Sequence, residues 1–163
     1  MKLNHRPIDP EADKDYILER HCRVNYECEA PWKREMTYEQ YRGEWFGTQN
    51  QEVYINALVE SMKDNRTIAE IIEDENGARA AYIWVTFYED SGFRFADVQD
   101  IYVEDEFRRC GIAKLLFGYA EEKARQNGAK VMRSGTGCEN VKSIAMHEKQ
   151  GYYQYRCEFE KLL

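Results

Sequence analysis

No apolar run in the 163 residues approaches the roughly 20 that a membrane-spanning helix needs. The opening stretch, Met1 to Tyr16, also lacks the apolar core of a signal peptide, so the cytoplasm is the expected compartment and no membrane partner is expected. The five cysteines (Cys22, Cys28, Cys110, Cys138 and Cys157) are odd in number and scattered, with no Cys-x-x-Cys pair. That pattern suggests neither a disulfide framework nor a zinc site, and most of the five are expected to be small core residues. His5, His21 and His147 lie far apart in sequence, so no metal motif emerges and no metal is expected. A net charge of −7 argues against general affinity for nucleic-acid phosphates. Repeats, low-complexity tracts and linkers are absent too. With 43% hydrophobic and 13% aromatic residues, the chain reads as one globular domain, 1–163, large enough for a real core.

The acidity is uneven. Between Glu70 and Glu106 eleven acidic residues face only Arg79 and Arg94, a local charge of −9 that exceeds the whole chain's −7. Charge runs are usually solvated faces, but an acidic rim would favour a cationic amine.

Taken in order, Lys2 to Ile8 alternates as an edge strand. Asp9-Pro10 reads as N-cap and first helical residue of a helix to about Val24. Thr37-x-x-Gln40 has the spacing of a capping box opening a short helix that Gly47 ends. A third helix covers about Asn50 to Lys63, with Val53, Ile55, Leu58, Val59 and Met62 as its apolar set. Arg66 to Glu73, Arg79 to Tyr88 and Phe93 to Val103 form an antiparallel meander, turning at Asp74-Glu75-Asn76-Gly77 and at Glu89 to Gly92. After a further helix come a strand at Lys130 to Arg133, the loop Ser134 to Gly137, and a helix from about Val141 to Gln150. Tyr152 to Leu163 reads as a long final strand, which could pair across a homodimer.

The most informative stretch is Asp97 to Gly128. Val98 to Val103 is a buried strand. Ile112, Leu115, Leu116, Tyr119, Ala120 and Ala124 fall on one face of a 3.6-residue period, and Asn127-Gly128 stops that helix. Between the two lies Arg108-Arg109-Cys110-Gly111-Ile112-Ala113. The first turn of a helix has N–H groups without intrahelical partners and a partial positive charge. A glycine there lets an anion's oxygens reach the backbone, so the segment can cradle a phosphate, with the arginines adding charge. An ordinary turn with a solvated Arg pair fits the same residues. If the Cys110 thiol is exposed beside the arginines, its pKa could fall and it could react.

Arg108-x-x-Gly111-x-Ala113, followed by Leu115-Leu116, resembles the acyl-CoA pyrophosphate loop of the GCN5-related N-acetyltransferases (GNAT family). Asn140 to Tyr152 is similar to that family's segment Asn-x-x-Ala/Ser-x-x-Leu-Tyr-Glu-Lys-x-Gly-Phe. The resemblance implies an α/β (α+β) domain whose mixed, mostly antiparallel sheet is flanked by helices and holds a splayed parallel pair. It implies acetyl-CoA as cosubstrate and a small-molecule primary amine as acceptor. The strand before the loop should carry a bulge, with the N–H of Ile101 facing the acetyl carbonyl and Tyr102 and Val103 along the pantetheine arm. The backbone of Arg109, Cys110, Gly111, Ile112, Ala113 and Lys114, beside Arg108, would hold the pyrophosphate. Asn140 and Ser143 would contact the cofactor, and a plain helix cap is the alternative for Asn140.

Either Asp97 or Asp100 could take the ammonium proton, and the choice between them stays open. For the leaving thiolate, His147 stands where the family often has Tyr. It could be the acid, as could Tyr152, Tyr153, Tyr155 or water. Trp32, Tyr38, Tyr41 and Trp45 could line the acceptor pocket. Two other readings fit the same motifs: a non-catalytic acyl-CoA sensor, and a protein lysine or N-terminal acetyltransferase. A P-loop enzyme is set aside because the loop lacks Gly-Lys-Ser/Thr.

Overall fold

Three consecutive segments of alternating pattern, joined by two tight turns, pair in the order in which they are synthesised, and a strand–helix–strand unit adds one parallel partner. In the computed structural model, which describes residues 2–163, the elements are β1 (Asn4–Pro7), α1 (Lys14–Cys28), α2 (Tyr38–Phe46), α3 (Asn50–Ser61), β2 (Ile68–Glu73), β3 (Arg79–Asp90), β4 (Phe93–Val103), α4 (Ile112–Gln126), β5 (Val131–Ser134) and α5 (Val141–Lys149). The sheet runs β1-β2-β3-β4-β5, antiparallel except for the final β4–β5 pair. This is the mixed architecture that the resemblance implied. No helix among the described residues is long and apolar enough to cross a membrane.

The sheet buries both faces. One packs α4 through Ile112, Leu116, Phe117, Ala120 and Ala124 against Ile83, Val85, Ala96 and Val98. The other packs α1, α2 and α3 through Ile17, Leu18, Trp45, Tyr54 and Leu58 against Ile71, Tyr82, Trp84 and Tyr102. Burying one such side chain stabilises by about 1.5–3 kcal/mol, so the two layers supply the driving force for the fold. The capping box forms as expected: the Gln40 N–H donates to Thr37 Oγ1 (3.3 Å) and the Thr37 N–H donates to Gln40 Oε1 (2.9 Å).

Several expectations are corrected. The first helix begins at Lys14 and continues to Cys28. Asp9 caps a separate turn instead, its carboxylate accepting from the N–H groups of Glu11 and Ala12. On α3, Val53 and Val59 face outward and Tyr54 is buried; on α4, Leu115 is exposed and Phe117 is fully buried. Only Cys22 is buried, whereas Cys110, Cys138 and Cys157 are exposed. The final segment forms no strand. Tyr152 packs edge-on to Phe117 and His147, while Tyr153 and Phe159 are 82% and 96% exposed.

Candidate active site

The site is organised by an irregularity in β4. Asp100 pairs with Trp84 and Val98 with Val85, which leaves Gln99 as an extra residue. Such a bulge reverses the side-to-side alternation of a strand. Ala96 and Val98 point to the α4 face, and beyond the bulge Ile101 takes that face while Asp100 and Tyr102 turn toward α1, α2 and α3. The parallel ladder with β5 ends at the same place, at Val98 and Ser134, so the two strands part beyond it. The Glu104 N–H donates to Ala80 O on the β3 side (2.9 Å). Period two then directs the N–H groups of Ile101 and Val103 to the opposite, open side. Arg108 Nε donates to Val103 O at 3.0 Å, drawing the loop against this edge.

The loop that follows is rich in unengaged donors. Arg109 and Gly111 have φ of 64° and 81°, in the left-handed region, and Gly111 is the N-cap of α4. Such alternation turns successive N–H groups toward one point. Among the described residues, the backbone N–H groups of Arg109, Cys110, Gly111, Ile112, Ala113 and Lys114 make no well-formed hydrogen bond. A Cβ built on Gly111 meets nothing within 4 Å, so the approach to these donors is clear. The residues fit a diphosphate. Arg109, Cys110 and Lys114 are exposed, and the Ile112 side chain is core, so that residue offers only its backbone. The Cys110 thiol donates weakly to Arg108 O (3.6 Å).

Asp100, one of the two candidate bases, is an internal acceptor. It is 4% exposed, and its Oδ2 accepts from His21 Nδ1 (2.7 Å), Tyr54 Oη (2.9 Å) and Tyr82 Oη (2.8 Å). Burial, reinforced by the Asp100 charge, pushes both tyrosine hydroxyls well above the ordinary phenol range, so they stay protonated donors. His21 was not singled out from the sequence; the signal for it was an acid in the middle of a buried strand, which must find donors elsewhere. Asp97 lies half-buried, beside Arg133 in the β4–β5 register. Burial raises its carboxyl above the ordinary value, against the pull of Gln99 and Arg133.

His147 sits on α5 with Nδ1 at 2.8 Å from Ser143 O and Nε2 at 2.8 Å from Ser134 Oγ. It is thereby tied to the residue at which β4 and β5 separate. The Asn140 side chain caps α5, accepting from the Ser143 N–H (3.2 Å), and its amide also lies 3.9 Å from Cys28 Sγ. The hydroxyl of Tyr152 is buried without a partner, and Tyr155 lies near Arg133.

Of the expected aromatic wall, Trp32, Tyr41 and Trp45 line a cavity of ≈ 290 Å³ together with Glu29, Lys33 and Glu44. Tyr38 is elsewhere, donating to Glu19 and packed on Tyr26. The acidic excess is less open than its sequence suggests. Glu73 pairs with Arg6, Glu89 with Arg94, Glu104 with Arg20 and Asp105 with Arg108.

Comparison with known proteins supplies the context. The chain is 28% identical over 86 residues to an L-methionine sulfoximine/L-methionine sulfone acetyltransferase of Salmonella typhimurium. That alignment spans about half of each, 50% of this chain and 48% of the relative. Among solved structures, an aminoglycoside antibiotic 6'-N-acetyltransferase from Acinetobacter baumannii matches with a TM-score of 0.66 at 18% identity, covering 99% of both chains. AAC(6')-Iy in complex with the bisubstrate analogue CoA-S-monomethyl-acetylneamine matches with a TM-score of 0.59 at 15% identity, covering 100% of this chain and 99% of that one. At these identities the structural matches establish the fold. The model of the acetyltransferase (GNAT) family matches residues 26–152, and the chain belongs to that family.

Proposed function

We propose that this chain is an acetyl-CoA-dependent N-acetyltransferase whose acceptor is the primary amine of a small molecule. The observation that carries the reading is the run of six N–H groups from Arg109 to Lys114, none making a well-formed hydrogen bond among the described residues, beside Arg108 and Arg109 at the start of α4. Backbone donors at a helix start bind phosphate oxygens through charge-assisted hydrogen bonds, and the arginines add long-range attraction. The open edge of β4 from Ile101 through Tyr102 to Val103 provides the strip for a pantetheine arm. Bound acetyl-CoA supplies the activated acyl carbon. The N–H of Ile101 is placed to donate to the oxyanion that develops there. Asn140 and Ser143 hold the start of α5 at the far wall. Where the family often carries Tyr, Ser134 and His147 form a hydroxyl–imidazole pair at the parting of β4 and β5; with Nδ1 donating to Ser143 O, a proton reaches the departing thiolate through this pair when the ring is an imidazolium.

The test has two stages. Calorimetry with acetyl-CoA should show saturable binding, and a thiol-release assay over a panel including L-methionine sulfone, neamine and spermidine should show amine-dependent turnover. No heat of binding at any accessible concentration would refute the reading. Tight binding without turnover on any amine would favour the sensor module.

A further inference from the structure

His21, on α1, is joined to one of the two candidate bases of β4. Asp100 cannot meet an amine directly, because it is sealed beneath α1 and α3 with three donors on one oxygen. Since that oxygen accepts, His21 Nδ1 carries the proton, and the lone pair of the neutral imidazole lies on Nε2. Asn25 Nδ2, one helical turn further along α1, lies 3.0 Å from Nε2 and donates to it. The ring is stacked on Tyr54 at 3.9 Å and meets the Trp45 ring edge-on at 5.8 Å. Its side chain is nevertheless 18% exposed, against 1% for that of Asp100. The Nδ1 edge is closed by Asp100 and one face by Tyr54. Trp45 is also a wall of the ≈ 290 Å³ cavity, so the imidazole and that cavity share one indole as a neighbour.

We infer that His21 is the general base that takes the proton of the acceptor ammonium at Nε2, and that Asp100 is a positioning residue acting through it. The inference rests on the acetyl-transfer reading above. The groups facing the imidazole are Asp100 from β4, Tyr54 from α3, Trp45 from α2 and Asn25 from its own helix, with the Tyr82 hydroxyl of β3 behind the carboxylate. Asp100 is the one charged group among them. In the reaction R–NH3+ gives one proton to Nε2, displacing the Asn25 amide, and His21 later releases it to solvent. The freed lone pair forms the C–N bond as the C–S bond breaks. A second nitrogen proton ends on the thiolate, giving the N-acetyl amine, free CoA thiol and one proton in solution.

The test compares the wild-type protein with His21→Gln and His21→Gly, using acetyl-CoA and the amine panel named above. His21→Gln keeps a donor toward Asp100 but has no basic lone pair, and it should lower kcat by about 10²–10⁴-fold. Acetyl-CoA affinity by calorimetry should be unchanged. Its pH–rate profile should lose the ascending limb of the wild type. His21→Gly should regain activity with added imidazoles, in proportion to their basicity, which a purely structural role for the ring would not produce. Wild-type kcat and pH profile in His21→Gln, or a rescue indifferent to basicity, would overturn the assignment while leaving acetyl transfer standing. A wild-type protein that binds acetyl-CoA yet acetylates none of the amines, or fails to bind it, overturns both.

Discussion

Gly111 offers a perturbation whose structural and functional costs can be separated. It has φ +81°, and a Cβ there touches nothing within 4 Å. Gly77, in the turn between β2 and β3, has the same φ of +81° and the same open surroundings. An alanine at either position should therefore carry the same backbone strain, about 1–2 kcal/mol for an L-residue in the left-handed region, and no clash. The restricted unfolded chain offsets this if anything, so a net loss of about 1 kcal/mol is expected in both variants by urea unfolding. Ligand affinity should diverge. Charge-assisted hydrogen bonds are worth about 1.5–3 kcal/mol each, and a methyl group at Gly111 would hold a diphosphate off one or two of the converging N–H groups. The expected loss is about 2–4 kcal/mol, roughly 30- to 1,000-fold in Kd for acetyl-CoA at 25 °C. Gly77→Ala should leave Kd within about twofold of wild type, within the rough error of such additive reasoning. Calorimetry on both folded variants decides it. A Gly111→Ala protein with wild-type Kd, and the same modest stability loss as Gly77→Ala, would show that the α4 N-terminus holds no phosphate.

Three further outcomes follow from the packing. Asp13 is fully buried, accepting from Arg6 (2.6 and 2.9 Å), Arg79 (2.9 Å) and the Asp9 N–H (3.0 Å). Asp13→Asn should cost about 3 kcal/mol in urea unfolding, the low end for a broken buried pair because both arginines keep some water. Burial pushes the Asp13 carboxyl up, but the Arg6 hydrogen bonds, the Asp9 N–H and both guanidinium charges outweigh it, so its folded pKa lies below 3.8. The pair's stabilisation is thus complete above that value and is lost as pH falls through the folded pKa. Unfolding midpoints of Asp13→Asn should accordingly vary less below pH 3.8 than those of wild type. Tyr152→Phe should stabilise by about 1 kcal/mol, since it removes a buried hydroxyl without a partner; a lower midpoint would mean that the hydroxyl is bonded. Phe117→Ala should cost about 3–5 kcal/mol, because the ring is fully buried between Ile112, Leu116 and the His147 and Tyr152 rings; a loss under 1 kcal/mol would mean that the site collapses without a cavity.

What the sequence displayed, and what it hid, divides by the range of the forces involved. The capping box at Thr37, the Asp74 to Gly77 turn and the glycine at the start of α4 are satisfied within a few residues, so local spelling was sufficient. Asp9-Pro10 spelled a helix start equally well. The actual boundary moved to Lys14 because Asp13 was claimed by Arg6 and Arg79, the latter 66 residues away. Phe117 and Tyr54 escaped a narrow apolar stripe because α4 and α3 are covered on more than one side, by the sheet and by a second helix. The final segment shows the opposite failure. Its alternation of Tyr153, Tyr155 and Phe159 with polar residues specifies two faces, but a strand exists only when a ladder partner is present, and the described chain presents none to it.

The base illustrates how such long-range dependence reaches chemistry. Were Gln99 to take a regular place in the ladder, period two would put Asp100 on the same face as Ala96 and Val98, against α4, with Ile101 turned the other way. The carboxylate would then be buried among Val85, Leu116 and their neighbours with no donor. Left out of the ladder, Gln99 instead lets Asp100 reach Tyr54, Tyr82 and His21 and leaves the N–H of Ile101 on the open edge. The same bulge therefore sets the imidazole and the oxyanion donor at once. Deleting Gln99 would close the ladder while leaving Asp100 opposite Trp84 and Ile101 opposite Ile83, so both groups should keep their faces and acetyl transfer should stay closer to wild type than in His21→Gln. Activity in that deletion as low as in His21→Gln would show that the site depends on the bulge itself and not on the phase of β4 alone.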